Sequence, residues 1–303
     1  MVPVGKESNP LTGTTVTGPV VAIRPEDDEL DMFGLTHKGK VRAENQDHFL
    51  ISTVHPQLVI HGTSLPDVEG LPLRGTRLAT VMVLADGVGG AAAGSEAARV
   101  ATEAVTRYVS STLRSYHNAG SSRDEEFLNA LKSSAFEAHA AVRAEAALRA
   151  DEKQMASTLT VGFVVWPWLY VVQVGDSRAY YFSEGKLRLL THDQTIAQDL
   201  VDKGILPAEK LERSPFKHVL SSAIGADEAL PVVTRVNITQ RGALILLCSD
   251  GLTKHVTDEE IAAAASTMTS SEQVARSLLR LALERGGTDN ITIIAARAVS
   301  RPT

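Results

Sequence analysis

The chain has 303 residues, 44% of them hydrophobic and 22% charged, with a formal net charge of -6. This composition supports a sizeable core in a soluble globular protein, and the negative balance argues against general affinity for nucleic acid or anionic membrane. A single cysteine, Cys248, excludes an internal disulfide and fits a reducing, cytoplasmic setting. No apolar run reaches membrane-spanning length, and no signal-peptide core opens the chain.

Residues 1–29 are rich in Gly, Pro, Thr and Val and close on Glu26-Asp27-Asp28, which reads as a flexible or loosely docked N-terminal arm. From Leu30 the pattern is strand-like, turns at Lys38-Gly39-Lys40, and runs through Arg42 and Asp47 into a strand over 48–51. The Pro- and Gly-bearing stretch 52–78 predicts a hairpin with a long loop.

The apolar run 81–85 then ends on Asp86-Gly87-Val88-Gly89-Gly90. An unpaired carboxylate at the tip of a buried strand is costly, so something positive belongs there. The glycines allow close approach and positive φ, letting the Gly87 carbonyl turn toward the same point. A carboxylate and a carbonyl together suit a hard divalent cation such as Mg²⁺ or Mn²⁺.

Two helices are predicted next. One opens at Ala91 with Ala101, Ala104, Val105 and Tyr108 on its apolar stripe. The other follows Gly120-Ser121-Ser122, with Leu128, Leu131, Ala135, Ala138, Val142 and Ala146. Both stripes face a core, and the short loop between them predicts antiparallel packing. The period then falls to two, and 157–165, 169–174, 178–182 and 186–190 read as an antiparallel meander with Gly175-Asp176-Ser177 at one turn. The polar stretch 195–226, broken by Pro207 and Pro215, is helical in pieces and suits a flap beside a site. A strand over 243–248 ends on Ser249-Asp250-Gly251. Helices over 258–265 and 271–284 follow, and Gly286-Gly287-Thr288-Asp289-Asn290 leads into the last strand, 291–296.

Acidic residues thus stand at Asp47, Asp86, Asp176, Asp250 and Asp289, the last four beside a glycine at a strand end. One such residue is a turn. Five suggest a carboxylate cage, whose repulsion divalent metals would neutralise compactly. No His or Cys cluster has zinc-type spacing.

Arg42 with Gln46-Asp47, Asp86-Gly87-Val88-Gly89-Gly90, Ser157-Thr158, Val174-Gly175-Asp176-Ser177-Arg178, Leu190-Thr191-His192-Asp193-Gln194, Ser249-Asp250-Gly251 and Asp289-Asn290-Ile291-Thr292, taken in that order, resemble one family. It is the metal-dependent protein serine/threonine phosphatases of the 2C type, in compact bacterial form. The resemblance implies an α+β fold, a four-layer α-β-β-α sandwich of two stacked antiparallel sheets flanked by helix pairs. It makes 30–299 a single phosphatase catalytic domain with a flap at about 195–226. It further implies hydrolysis of phosphoserine and phosphothreonine in proteins at a binuclear Mn²⁺ or Mg²⁺ centre, with metal-bound hydroxide attacking phosphorus directly.

By the same resemblance Asp86 bridges two metals, the Gly87 carbonyl binds the second, and Asp250 and Asp289 complete the first. Asp47 holds metal-bound waters, Asp176 with Asp250 binds a weaker third metal, and Arg42 forks onto the phosphoryl oxygens. Arg42, Asp86, Asp250 and Asp289 form the catalytic set, with Ser249 and Asn290 orienting them. The implied partners are phosphorylated proteins, substrates of a cognate serine/threonine kinase, acted on by a monomer.

Two positions depart from the pattern. Gln46 stands where many relatives have Glu, and Val88 stands where eukaryotic relatives carry a histidine proposed as general acid. His192 and His37 are loop histidines expected to be bystanders, and Cys248, in an apolar strand, is not expected to act as a nucleophile. Rival readings are a catalytically weak pseudophosphatase acting as a phosphoprotein-binding regulatory module, a metal-stabilised scaffold, and a phosphatase for small metabolites.

Overall fold

The computed structural model describes residues 23–299 except 62, 68–70, 90, 118–123 and 150–154. Most of the arm, Gly90 of the glycine pair and the Gly120-Ser121-Ser122 turn therefore lie outside the described residues. Strands β1 (Leu30–His37), β2 (Asp47–Val54) and β3 (Ala79–Val88) precede helices α1 (Ala91–His117) and α2 (Asp124–Leu148). Strands β4 (Ala156–Ser157), β5 (Leu159–Val165), β6 (Trp168–Val174), β7 (Arg178–Ser183) and β8 (Lys186–Leu189) come next. They are followed by α3 (Ile196–Asp202), β9 (Val232–Asn237), β10 (Leu244–Cys248), α4 (Asp250–Thr253), α5 (Asp258–Thr267), α6 (Ser271–Glu284) and β11 (Ile291–Ala298).

The strands form two antiparallel sheets. One runs β1-β11-β10-β7-β8 and the other β2-β3-β5-β6-β9, with β4 paired to β3. Strand alternation sorts the apolar residues into three slabs. Along β3, Val81 and Val83 pack outward under Ala97, Ala101 and Val105 of α1 and Leu131, Ala135 and Ala138 of α2. Met82 and Leu84, the intervening residues, point inward and meet Ile245 and Leu247 of β10 and Ile294 of β11 across the sheet interface. On the far side Leu244, Leu246 and Ile293 carry Ile261 of α5 and Val274 and Leu278 of α6. The alanines of α1 let it lie close on the sheet, and each larger apolar side chain buried here is worth about 1.5–3 kcal/mol. The result is the four-layer α+β sandwich expected from the sequence.

Three elements differ from the expectations. The predicted meander over 157–190 is split between the sheets: β5 pairs with β6, whereas β7 pairs with β8 and β10. The chain crosses from one sheet to the other at Gly175-Asp176-Ser177, where Gly175 N donates to Gln194 Oε1 at 2.8 Å and Gln173 Nε2 donates to the Gly175 carbonyl at 3.0 Å. A period of two reports which face a residue takes, not which sheet its strand joins. Strand β9 was not anticipated. It is an edge strand, half exposed, with Arg235 stacked 4.4 Å from the Trp168 ring centroid. The acidic close of the arm is a pinned turn: Asp27 Oδ1 takes Arg77 Nη1 at 2.5 Å, and Glu29 Oε1 takes Arg241 Nη1 at 2.7 Å. Among the described residues no helix is long and apolar enough to cross a membrane.

Candidate metal centre

The carboxylates are delivered by both sheets to one end of the sandwich. Asp47 opens β2 and Asp86 stands two residues before the end of β3, and the two are partners in register. Asp250 opens α4 just beyond β10, Asp289 stands two residues before β11, and Asp176 lies in the crossover between β6 and β7. A cleft of about 680 Å³ is lined by Arg42, Gln46, Asp86, Gly87, Asp176, Asp250 and Asp289. Lys254, His218 and Asn290 share its wall. Residues separated by more than two hundred positions thus meet.

Gly87 permits that convergence. A Cβ there would stand 2.2 Å from the Gly94 carbonyl oxygen and 2.9 Å from that of Gln46, so only a glycine lets the end of β3 lie against α1. The backbone of Asp86 is held from the other side, its N–H donating to Thr158 Oγ1 at 3.0 Å and its carbonyl accepting from Ser157 Oγ at 3.0 Å.

Asp47 is buried. Its Oδ2 accepts from Ser249 Oγ at 2.8 Å and Thr292 Oγ1 at 2.7 Å, while Oδ1 is buried and has no hydrogen-bond partner among the described residues. Desolvation pushes the Asp47 carboxyl up to about 6, against those two hydroxyls and with the help of Asp250. Desolvation, then repulsion from Asp47, Asp250, Asp176 and Asp289, pushes the Asp86 carboxyl well above its ordinary range. Asp176 is pushed up to about 8 by burial, then by Asp250 and Asp193. Acids shifted upward by burial and then by one another suit a cation between them.

Asp289 is the exception. Burial would raise it, but the hydrogen bonds of Arg42 and Lys254 outweigh that and hold its carboxyl below the ordinary range. Arg42 Nε stands 2.7 Å from Oδ1 and Nη2 2.9 Å from Oδ2, a two-pronged contact. Lys254 Nζ is 2.6 Å from Asp289 Oδ2 and 2.6 Å from Asp250 Oδ2. Asn290 fixes the loop that brings Arg42 in: its Oδ1 accepts from Gln46 N at 2.9 Å, and its Nδ2 donates to the carbonyls of Lys38 at 3.0 Å and Glu44 at 2.8 Å.

The five-fold cage predicted from the sequence is more open than expected. Among the described residues no three acidic, histidine or cysteine side chains are gathered in a cation-holding arrangement. Arg42 and Lys254 draw Asp289 and Asp250 to one side, while Asp47 is drawn into the fold by Ser249 and Thr292. The donor set nonetheless fits a hard divalent cation: oxygens only, mutually repelling, with one orphaned carboxylate oxygen and a glycine-lined backbone approach.

Lys254 and His218 were missed in the sequence. Lys254 falls four residues after Asp250, a spacing that faces both side chains to one side of a helical turn, but the short helix α4 was not foreseen. His218 lies in the irregular part of the predicted flap, where no period marks a direction. That flap consists of α3 and a 3-10 turn over Ala208–Arg213. It is tied down by Ser157, whose N–H donates to the Ile224 carbonyl at 3.0 Å and whose carbonyl accepts from Ile224 N at 2.8 Å. The two histidines singled out in the sequence do not line the cleft. His192 is exposed and pairs with Asp202 at 2.7 Å, and His37 Nδ1 accepts from Gly39 N at 2.9 Å. Val88 lines the cleft as an exposed side chain. Burial pushes the Cys248 thiol up to about 12, which leaves it inert.

The family model described as protein phosphatase 2C matches residues 73–285. The chain belongs to the protein phosphatase 2C family. The serine/threonine protein phosphatase PstP of Mycobacterium tuberculosis is 32% identical over 221 residues, which make up 73% of this chain and 41% of that protein. The chain thus spans about two fifths of the length of that curated relative. The crystal structure of the Mycobacterium tuberculosis serine/threonine phosphatase PstP/Ppp is similar with a TM-score of 0.69 at 28% identity, covering 89% of this chain and 99% of that one. The catalytic domain of PstP in complex with 2 manganese ions gives a TM-score of 0.66 at 28% identity, over 89% of this chain and 99% of that one. The two antiparallel sheets flanked by helices are therefore those of a 2C-type fold.

Proposed function

We propose that this chain hydrolyses phosphoserine and phosphothreonine in proteins, using a Mn²⁺ or Mg²⁺ pair held by Asp86, the Gly87 carbonyl, Asp250 and Asp289. Asp47 lies behind that pair, and Asp176 with Asp250 offers a weaker third position. The observation that carries this reading is the meeting of Asp86, Asp176, Asp250 and Asp289 with Arg42 in one cleft. The PstP structure with two manganese ions supports it.

A bound metal pair supplies positive charge for the phosphoryl oxygens and an acidified water for attack. The residues of the chain do the rest. Arg42 stands at the rim, its side chain 51% exposed, with a planar fork that suits two phosphoryl oxygens at once. Asp47 Oδ1 is an acceptor without a donor and suits a water entering from the cleft. Asn290 keeps the Arg42 loop in register with Asp289. Cys248 takes no part, so the reading needs no thiol phosphoenzyme.

We take residues 30–299 as one catalytic domain, acting as a cytoplasmic monomer on substrates of a cognate serine/threonine kinase. Initial rates with para-nitrophenyl phosphate and a phosphothreonine peptide, in Mn²⁺, Mg²⁺ and EDTA, test the reading beside Asp250→Asn. Turnover of both substrates that is lost in EDTA and in the variant is expected. Bound metal and bound phosphopeptide without turnover would instead favour the regulatory binding module.

A further inference from the structure

We infer that Lys254 is a built-in competitor for the cation that Asp250 and Asp289 bind. The inference rests on the metal reading of those two carboxylates and adds a residue to it that works against loading.

The observation is a saturated carboxylate. Each carboxylate oxygen offers about two in-plane lone-pair sites. Asp289 Oδ1 takes Arg42 Nε at 2.7 Å and Asn290 N at 3.0 Å. Its Oδ2 takes Arg42 Nη2 at 2.9 Å and Lys254 Nζ at 2.6 Å. All four sites are used, so Asp289 cannot ligate a metal in the plane of its carboxylate without releasing a donor.

Lys254 is the donor that a metal must displace. Asn290 N belongs to the backbone of the loop, and Arg42 touches Asp289 alone of the two carboxylates. Lys254 Nζ touches both, at 2.6 Å from Asp250 Oδ2 and 2.6 Å from Asp289 Oδ2, and so occupies the point between them. An ammonium and a divalent cation there would repel at contact distance in a partly desolvated pocket, where the side chains of Lys254, Asp250 and Asp289 are only 20%, 18% and 15% exposed. One must leave. Lysine, a compact charge on a flexible stem, can swing out of the way, whereas Arg42 holds Asp289 through two contacts that must break together.

The tether makes the competition effective. Lys254 follows Asp250 by one helical turn in α4, and its backbone N–H donates to the Asp250 carbonyl at 2.9 Å. The ammonium is therefore present at high local concentration and clamps the loop of Asp289 to α4 while no metal is bound. Two effects of removing it follow: metal binding tightens, and the metal-free fold weakens. A lysine with a purely structural role would produce only the second.

The test is titration of Mn²⁺ by isothermal calorimetry into the full chain at fixed pH, for the wild type, Lys254→Met and Asp250→Asn, with melting temperatures in EDTA alongside. Lys254→Met is expected to tighten Mn²⁺ binding by about tenfold or more and to lower the melting temperature in EDTA. Asp250→Asn is expected to lose that binding. Unchanged or weaker Mn²⁺ binding in Lys254→Met, with binding still lost in Asp250→Asn, would overturn the competitor role and leave the metal reading standing. No Mn²⁺ binding by either the wild type or Lys254→Met would remove the metal reading and the inference with it. Lys254→Gln, nearer in shape and able to keep one neutral hydrogen bond, repeats the comparison if the methionine variant does not fold.

Discussion

Asp47 and Asp86 face each other as register partners across β2 and β3, and Asp47 is tethered to the opposite sheet through Ser249 and Thr292. Ser249 makes that tether count twice. Its hydroxyl donates to Asp47 Oδ2 and accepts from Thr292 N at 2.9 Å, all within the buried interior. Ser249→Ala leaves one buried amide unpaired and Asp47 with one donor fewer. Urea unfolding in EDTA should show a loss of about 1–3 kcal/mol.

Arg42 contributes to the site from an exposed position, so its removal should separate phosphate recognition from metal binding. Arg42→Ala is expected to leave Mn²⁺ affinity undiminished, because Arg42 is a donor to Asp289 rather than a metal ligand and its removal frees a site on each carboxylate oxygen. It should raise the Michaelis constant for para-nitrophenyl phosphate by about tenfold or more, the loss of ~1.4 kcal/mol of phosphoryl binding. Steady-state kinetics at saturating Mn²⁺ decide it.

Asp176 gives a pH signature. Its carboxyl is pushed up to about 8 by burial and its acidic neighbours, whereas an unfolded-chain aspartate titrates near about 3.9. Between those values the native state holds a proton that the unfolded state has lost. Native stability therefore falls as pH rises through that window, and the penalty is complete above about 8. Asp176→Asn removes the titration. In EDTA its melting temperature should match wild type near pH 4 in relative terms, gain on it steadily with rising pH, and level off above the upper value.

Gly251 is where α4 lies against the chain before β11. A Cβ there would stand 1.9 Å from the Asn290 carbonyl oxygen, which is backbone and cannot rotate aside. Gly251→Ala must push the loop of Asp289 away from Asp250. The expected cost is about 1–3 kcal/mol of stability, together with weaker Mn²⁺ binding by calorimetry.

Much of this was legible in the sequence because two periodicities and one composition rule carried it. The apolar run of β3, the period of two along β5 and β6 and the apolar stripes of α1 and α2 marked the buried elements, and carboxylates near glycines at strand ends marked the cleft. What escaped depended on relations that no local pattern encodes. The passage of the chain between sheets at Asp176 is set by tertiary packing, because β6 and β7 look alike to a period of two. The edge strand β9 carries Arg235 and Asn237 among its valines, which blurs its alternation. Lys254 was overlooked because Asp250 was read as the end of a strand rather than the first turn of a helix. Its ion pairs with Asp250 and Asp289 depend on that helical spacing.

The carboxylates divide between the sheets: Asp47 and Asp86 ride on β2 and β3, Asp250 follows β10 at the start of α4, Asp289 leads into β11, and Asp176 lies on the passage between. The spacing of the cleft is therefore a caliper reading of how the sheets are seated on one another. Met82 and Leu84 against Leu247 and Ile294 set that seating from deep in the interior, none of them lining the cleft. A cavity or an added methyl in that slab would open or close the jaws of the caliper, so metal affinity becomes a readout of core packing at a distance.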